Sequence, residues 1–133
     1  MSIPVELDDL VAAASAYGFA YVLTVSDAGT PHVVAATPQW GDGGATVTVG
    51  RSTLRNVAAR PSISLCYPPA EPGGYSLISD GTATVAGDDR ITFAPTTAVY
   101  HRPAPGGAAP EGEAAEGCVS DCAPVSGEAP EAR

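Results

Sequence analysis

Short alternating segments separated by turns rich in Gly, Asp and Pro run along residues 19–103 of this 133-residue chain. Residues 19–26, 45–50 and 62–68 each alternate apolar side chains with small or polar ones, a pattern typical of half-buried strands. Most of the strand segments are joined by turns rich in Gly and Asp, such as GDGG at 41–44, and several short strands at such close spacing favour a small β-barrel over an α/β sheet. We therefore predict a mainly β fold with short helices, built as a small β-barrel.

The predicted elements follow one another closely. Gly81 lies in the middle of a long strand segment and predicts a bulge or bend, as strands use when a sheet curls into a barrel. Helices are expected at 4–18 and at Ser52–Arg60. Strands are expected at 19–26, 31–40, 45–50, 62–68, 75–87, 91–93 and 98–103.

The composition changes after residue 103. Residues 104–133 are rich in Ala, Gly and Pro and carry six acidic residues against one arginine, so they bury too little apolar surface to offset the entropy of ordering. We expect a folded domain over 1–103 and a flexible, disordered tail over 104–133. Cys118 and Cys122 of the tail's CVSDC segment could form a local disulfide, share a soft metal or have no role, and we assign no metal site.

Charge and hydropathy exclude several partners. The formal charge is −9 and the chain has no basic patch, which argues against nucleic acid and anionic membrane surfaces. No apolar run approaches the roughly 18–20 residues that span a bilayer. The start, MSIPVELDDL, lacks the basic and apolar regions of a signal peptide, so the expected location is the cytoplasm.

Two of the six arginines lie in the segment GRSTLR at 50–55, at the start of a predicted helix. A helix N-terminus carries about half a positive charge and free N–H groups, so Arg51 and Arg55 are unfavourable there unless an anion binds between them. Their spacing of four places them on one helix face. Ser52 and Thr53 can cap the helix or donate hydroxyls, and Gly50 lets the backbone approach a ligand.

This segment therefore predicts a phosphate site, since the planar fork of arginine suits phosphate oxygens. The alternative is that both arginines are simply solvated or paired with nearby acids, with Ser52 as an ordinary N-cap. The pattern of these six residues alone does not decide between the two interpretations.

The order of the surrounding segments resembles a known family. The stretches PHVVAATPQW, ATVTVGRSTLRNVAARPSISL, YSLISDGTATVAGDD and AVYHRP are similar to the pyridoxamine 5′-phosphate oxidase-like flavin proteins, the FMN-binding split β-barrels. The resemblance covers roughly residues 8–103. It implies a split β-barrel that forms a homodimer and binds FMN at the subunit interface.

The resemblance also implies the cofactor contacts. In that family an arginine at the strand end and a basic residue two positions later hold the FMN phosphate. Arg51 matches the first position, whereas Thr53 departs from the second, so Arg55 and Ser52 would have to compensate. The backbones along which the flavin ring lies in the family correspond here to Pro38, Gln39, Trp40 and, at the end of the next strand, Thr48, Val49 and Gly50.

These observations favour an FMN-dependent oxidoreductase acting on a small molecule that the residues do not identify. The vitamin B6 oxidases of the family hold their substrate with a basic C-terminal segment rich in Trp and Arg, and the acidic segment here argues against that reaction. The alternatives are an F420-dependent reductase and a non-catalytic protein that binds flavin or haem. Residues 1–102 hold five arginines against nine acids, which disfavours the polyglutamate tail of F420.

Two further groups of side chains leave a choice open. His32 or His101 could ligate haem, although a structural role is the simpler interpretation of each. Tyr67, Tyr75 and Tyr100 could line a site for a ring-shaped ligand or pack in the core.

Overall fold

A computed structural model of the protein describes residues 1–104, of which Met1–Arg102 form one compact unit. The predicted tail with Cys118 and Cys122 lies outside the described residues. The helices are α1 (Leu7–Ala14) and α2 (Arg51–Ala59). The strands are β1 (Ser2–Pro4), β2 (Ala20–Val25), β3 (Pro31–Ala36), β4 (Gln39–Gly41), β5 (Gly44–Thr48), β6 (Ser62–Tyr67), β7 (Ser76–Val85) and β8 (Arg90–His101).

The strands form one antiparallel sheet in the order β3-β2-β6-β7-β8-β5-β4, with β1 paired to the end of β8. The long strand β8 has β7 along one side. Its other side is shared, because β5 pairs with its first residues and β1 with its last. The prediction of a mainly β chain with short helices is confirmed, and neither helix is long and apolar enough to cross a membrane.

The core lies on the inner face of the sheet because inward-pointing residues alternate with exposed ones along each strand. Burying each large apolar side chain contributes about 1.5–3 kcal/mol relative to exposure. Leu10 of α1 and Val57 of α2 are buried with the sheet residues, which shows that both helices pack against it. The strand residues that are at most 1% exposed are Ala20, Val22, Val47, Leu65, Leu77, Ser79, Ile91 and Phe93.

A bulge between β7 and β8 confirms the expectation at Gly81. Asp80 pairs with Thr97 and Gly81 with Pro95, so Thr96 is the extra residue on β8. A Cβ atom at Gly81 would overlap the carbonyl oxygen of Ala94, which explains why only glycine fits this close approach. The irregularity also accommodates Pro95, which has no N–H to donate.

Several predicted boundaries were wrong. The segment predicted as one strand at 31–40 forms two, β3 and β4, because Pro38 cannot donate a ladder hydrogen bond between them. The segments at 91–93 and 98–103 form the single strand β8. The three-residue β1 was missed, α1 is shorter than predicted, and α2 begins at Arg51 rather than Ser52.

Candidate functional site

Helix α2 begins where strand β5 ends. The N–H of Val49 donates to the carbonyl of Asp89 at 2.9 Å, which fixes the strand end against the β7–β8 turn. Gly50 is the N-cap, and its carbonyl accepts the first helical hydrogen bond from Leu54 at 3.1 Å. A Cβ atom built on Gly50 would meet no atom within 4 Å, so the space beside the helix start is open.

Arg51 and Arg55 are exposed at this end of α2, and neither makes an ion pair or a side-chain hydrogen bond within residues 1–104. The first turn of α2 contains no acidic residue. Arg60 at the other end is paired: it donates to the Asp27 carboxylate at 2.7 Å and to the Val25 carbonyl at 2.8 Å. Arg51 therefore brings a positive charge to the positive end of the helix dipole, and neither guanidinium group has a carboxylate within 4 Å among residues 1–104.

The two hydroxyl residues of this turn differ in exposure. Ser52 is exposed, whereas Thr53 is only 1% exposed, and neither caps the helix with its side chain. Ser52 is therefore the better placed of the two to donate to a ligand in front of the helix.

Asn56, to which the sequence analysis gave no role, holds α2 on the sheet. Its side chain is 2% exposed, and its Nδ2 donates to Oγ1 of Thr24 at 3.0 Å. The same hydroxyl lies 3.5 Å from Nδ1 of His32. Because a buried amide is stabilised only when it is hydrogen-bonded, this bridge from α2 through β2 to β3 fixes the orientation of the helix.

Arg90 is a second residue that sequence reasoning missed. The β5–β8 pairing places it opposite Thr48, two residues before the helix N-cap, and both side chains are exposed. Its Nε lies 3.8 Å from the carboxylate of Asp89, so this third arginine, unlike Arg51 and Arg55, has an acidic partner. Only the long-range pairing of β8 with β5 brings it near α2, and no local pattern in the sequence indicates that proximity.

The residues predicted to contact a flavin ring lie on the neighbouring strand. Gln39 of β4 pairs with Thr46 of β5, which lies four residues before Gly50, or about 13 Å along an extended strand. Gln39 is exposed and Pro38 is buried. Neither Arg51 nor Arg55 lines the two cavities that Gln39 borders.

Two contacts, one with Phe93 and one with Tyr67, fix the Trp40 side chain. Its indole packs edge-on against Phe93, with ring centroids 6.2 Å apart, and its Nε1 donates to the Tyr67 hydroxyl at 2.8 Å. Burial raises the pKa of Tyr67 above its ordinary value, and the hydrogen bond from Trp40 opposes that change. The Tyr67 hydroxyl therefore stays protonated at neutral pH.

Two cavities adjoin Trp40. The larger, about 460 Å³, lies beside the Gly-rich turn at 41–44 and is bordered by threonines of β5, β7 and β8. The smaller, about 220 Å³, lies between α1 and the start of β4. Its walls include Val11, Tyr17, Phe19, Pro38, Trp40 and Tyr67.

An apolar surface, which we call the β2–β3 face, lies on the outer side of those strands. Leu23 pairs with Val33, and their side chains are 37% and 52% exposed. Tyr21 and Val25 on β2 point the same way, and Phe19 packs edge-on against Tyr21. A contiguous apolar surface of this kind is typical of a protein–protein interface.

No family model matches the chain. Two proteins described only as uncharacterized, from Mycobacterium bovis and Mycobacterium tuberculosis, are each 39% identical to it over 135 residues. These alignments cover 89% of this chain and 92% of each relative.

Solved structures establish the fold. An FAD-binding protein of Mesorhizobium loti has a TM-score of 0.60 at 12% identity, covering 77% of this chain and 98% of its own. A Clostridium acetobutylicum protein of the pyridoxine phosphate oxidase family has a TM-score of 0.56 at 13% identity, with 74% and 91% covered. The predicted split β-barrel fold, of the pyridoxamine 5′-phosphate oxidase-like type, is thereby confirmed.

Proteins of the same fold bind different cofactors. A structure named F420 reductase matches at a TM-score of 0.50 and 18% identity, covering 60% of this chain and 87% of its own. HutZ of Vibrio cholerae, named as a haem storage protein, matches at a TM-score of 0.52 and 15% identity, with 68% and 88% covered. At these identities the likeness shows the fold alone.

Proposed function

The chain belongs to the family of these two mycobacterial proteins and has the pyridoxamine 5′-phosphate oxidase-like split-barrel fold, and from this premise we propose that it is an FMN-dependent oxidoreductase. Its substrate is a small molecule. The observation that carries the proposal is the pair of exposed arginines at the start of α2, which have no acidic partner within residues 1–104.

The start of α2 suits a phosphate monoester. The guanidinium groups of Arg51 and Arg55 supply planar forks of N–H donors, and the exposed Ser52 adds a hydroxyl. The free N–H groups of the first helical turn supply further donors and add the dipole's positive charge. A dianionic phosphate would neutralise the charge that the arginines bring to this helix end.

The distance from this helix start to β4 suits the rest of the cofactor. FMN joins its phosphate to a flat ring through a ribityl chain, and about 13 Å of strand separates Gly50 from the Gln39–Thr46 pair. When bound, FMN supplies reversible electron transfer, and the chain's own residues supply anchoring and orientation. The backbone of Pro38, Gln39 and Trp40 and of Thr48, Val49 and Gly50 would border the ring and its linker.

We also propose that the β2–β3 face pairs with a second copy of the chain. The described domain is only about a hundred residues, a size at which dimerisation adds substantially to the buried surface. The face carries five large side chains that are 37–52% exposed and no lysine or arginine. A self-complementary apolar face is the usual basis of a two-fold dimer.

The charges and histidines of this chain bear on the two alternative cofactors, F420 and haem. F420 reduction is the nearest alternative, but residues 1–102 have nine acids against five arginines, which is unfavourable for a polyglutamate tail. Haem would require an available ligand, and His32 and His101 each lie within hydrogen-bonding distance of a hydroxyl, that of Thr24 and that of Ser2.

The absorption spectrum of the purified protein tests the assignment, because flavin, deazaflavin and haem have distinct spectra. We expect an oxidised-flavin spectrum that is lost in the Arg51→Ala/Arg55→Ala variant, while circular dichroism remains that of the wild type. Arg60→Ala, at the other end of the same helix, is the matched control and should retain flavin. Equal flavin content in the wild type and the double variant would refute the phosphate site.

A further inference from the structure

We propose that the 220 Å³ cavity between α1 and β4 is the substrate site, and that it takes a small, uncharged aromatic molecule bearing a carbonyl group. The description of this molecule as the substrate rests on the proposed flavin function. The binding site itself is argued from the cavity's own walls, independently of any cofactor.

The walls of the cavity favour a flat, uncharged ligand. None of the lining residues is acidic, basic or histidine, so an ionised group entering it would lose its hydration without a partner. Four aromatic residues line the space: Tyr17, Phe19, Trp40 and Tyr67. Aromatic walls bind planar rings by edge-to-face and offset stacking.

The volume limits the size of the ligand. Engineered cavities of about 150 Å³ bind benzene, so 220 Å³ holds a single ring with a small substituent. Drug-sized ligands occupy pockets of about 300–1,000 Å³. The site is therefore too small to hold a whole flavin cofactor, and it adjoins the proposed position of the flavin ring through Pro38, Gln39 and Trp40.

One wall carries an available hydrogen-bond donor. Tyr17 uses its hydroxyl to donate to the Tyr75 carbonyl at 3.0 Å. The Tyr67 hydroxyl instead accepts a hydrogen bond from Trp40, and within residues 1–104 it has no acceptor for its own proton. Tyr67 is 3% exposed, and an unused donor at that depth favours a ligand with an acceptor. Accepting from the indole N–H also polarises the hydroxyl and strengthens it as a donor.

Trp40 is the single tryptophan of the chain and borders this cavity, so its fluorescence reports binding directly. Benzamide is the probe, benzoate is its charged counterpart and toluene lacks the acceptor. We expect saturable fluorescence changes with benzamide, and affinity for benzoate that is weaker by about tenfold or more. In Tyr67→Phe, benzamide binding should weaken by roughly 2- to 13-fold, the value of one hydrogen bond, while toluene binding is unchanged.

Tyr75→Phe is the matched control, because it removes a tyrosine hydroxyl that contacts the Met1 sulfur at 3.6 Å and does not line the cavity. Val11 lines the cavity and is 46% exposed, so Val11→Phe fills the space without burying a new group in the core. This variant should abolish benzamide binding. The inference is overturned if benzoate binds as tightly as benzamide, if Tyr67→Phe binds benzamide normally, or if folded protein binds no benzamide.

The same variants separate this inference from the cofactor assignment. Flavin retained in Val11→Phe with benzamide binding lost supports the cavity as a separate site. Benzamide binding retained in Arg51→Ala/Arg55→Ala with flavin lost supports both assignments. Normal flavin content together with no benzamide binding in the wild type overturns the cavity and leaves the flavin site standing.

Discussion

Replacing Arg51 and Arg55 with alanine should have opposite effects on the stability of the empty and the flavin-loaded protein. Without a ligand, a positive charge in the first turn opposes the helix dipole by about 0.3–1 kcal/mol. A like-charge pair four residues apart adds about 0.2–0.5 kcal/mol. Neither arginine has a compensating contact within residues 1–104. The double variant should therefore be more stable than the wild type, by about 0.5–1.5 kcal/mol, when no flavin is present.

Adding FMN should reverse the order. A ligand at 100 times its Kd stabilises the folded state by about 2.7 kcal/mol, and a domain of this size gains about 4–8 °C in Tm per kcal/mol. The wild type should gain roughly 10–20 °C and the double variant almost nothing. Without FMN, the variant should melt about 2–12 °C above the wild type.

Thermal unfolding followed by circular dichroism, with and without FMN, measures all four values. Inorganic phosphate is a second ligand that should shift only the wild type, and by less. If the empty double variant melts below the wild type, the arginines stabilise the fold itself and the electrostatic reasoning is wrong. If FMN stabilises the variant as much as the wild type, the phosphate binds elsewhere.

Two further predictions concern the bulge and the proposed dimer. Gly81→Ala should destabilise the protein by about 1–3 kcal/mol in urea unfolding, because the added Cβ overlaps the backbone of β8. The control Gly18→Ala adds a Cβ that meets no atom, so it should be nearly neutral. Equal effects of the two substitutions would refute the close approach at Gly81. Val33→Asp places a charge on the β2–β3 face, so sedimentation should show a monomer where the wild type is a dimer. The control Val85→Asp, at a similarly exposed position at the end of β7, should leave the dimer intact. A dimeric Val33→Asp protein would exclude that face as the interface.

The sequence predicted those parts of the fold that local physical chemistry determines. Alternation of side chains located the ends of β2, β5 and β6 to within two residues, because each strand buries one face of the sheet. Gly81 marked the bulge because only a residue without a Cβ fits there. The start of α2 was predicted to within one residue, at Ser52 instead of Arg51.

The errors arose where long-range pairing overrides local pattern. Two strands were predicted at 91–93 and 98–103, yet β8 continues through Pro95 because the bulge opposite Asp80 and Gly81 removes the need for an N–H donor. Strand β1 is three residues long and is defined only by its pairing with β8. Arg90 and Asn56 were missed for the same reason. Arg90 lies near the helix start only because β8 pairs with β5, and Asn56 forms its hydrogen bond with Thr24 of the distant strand β2.

Strand β4 lies beside both proposed sites. Its position depends on the break at Pro38, which separates it from β3. Because β3 ends before Pro38, β4 leaves β2 and pairs with β5, which places Gln39 on the exposed side opposite Thr46 and turns the Trp40 indole inward toward Phe93 and Tyr67. Adjacent residues of one short strand thus point to opposite sides of it, and both border the aromatic cavity. A ligand in that cavity and a flavin ring along the backbone of Gln39 would share this strand as a wall. A strand that continued unbroken beside β2 over residues 31–40 could not also pair with β5.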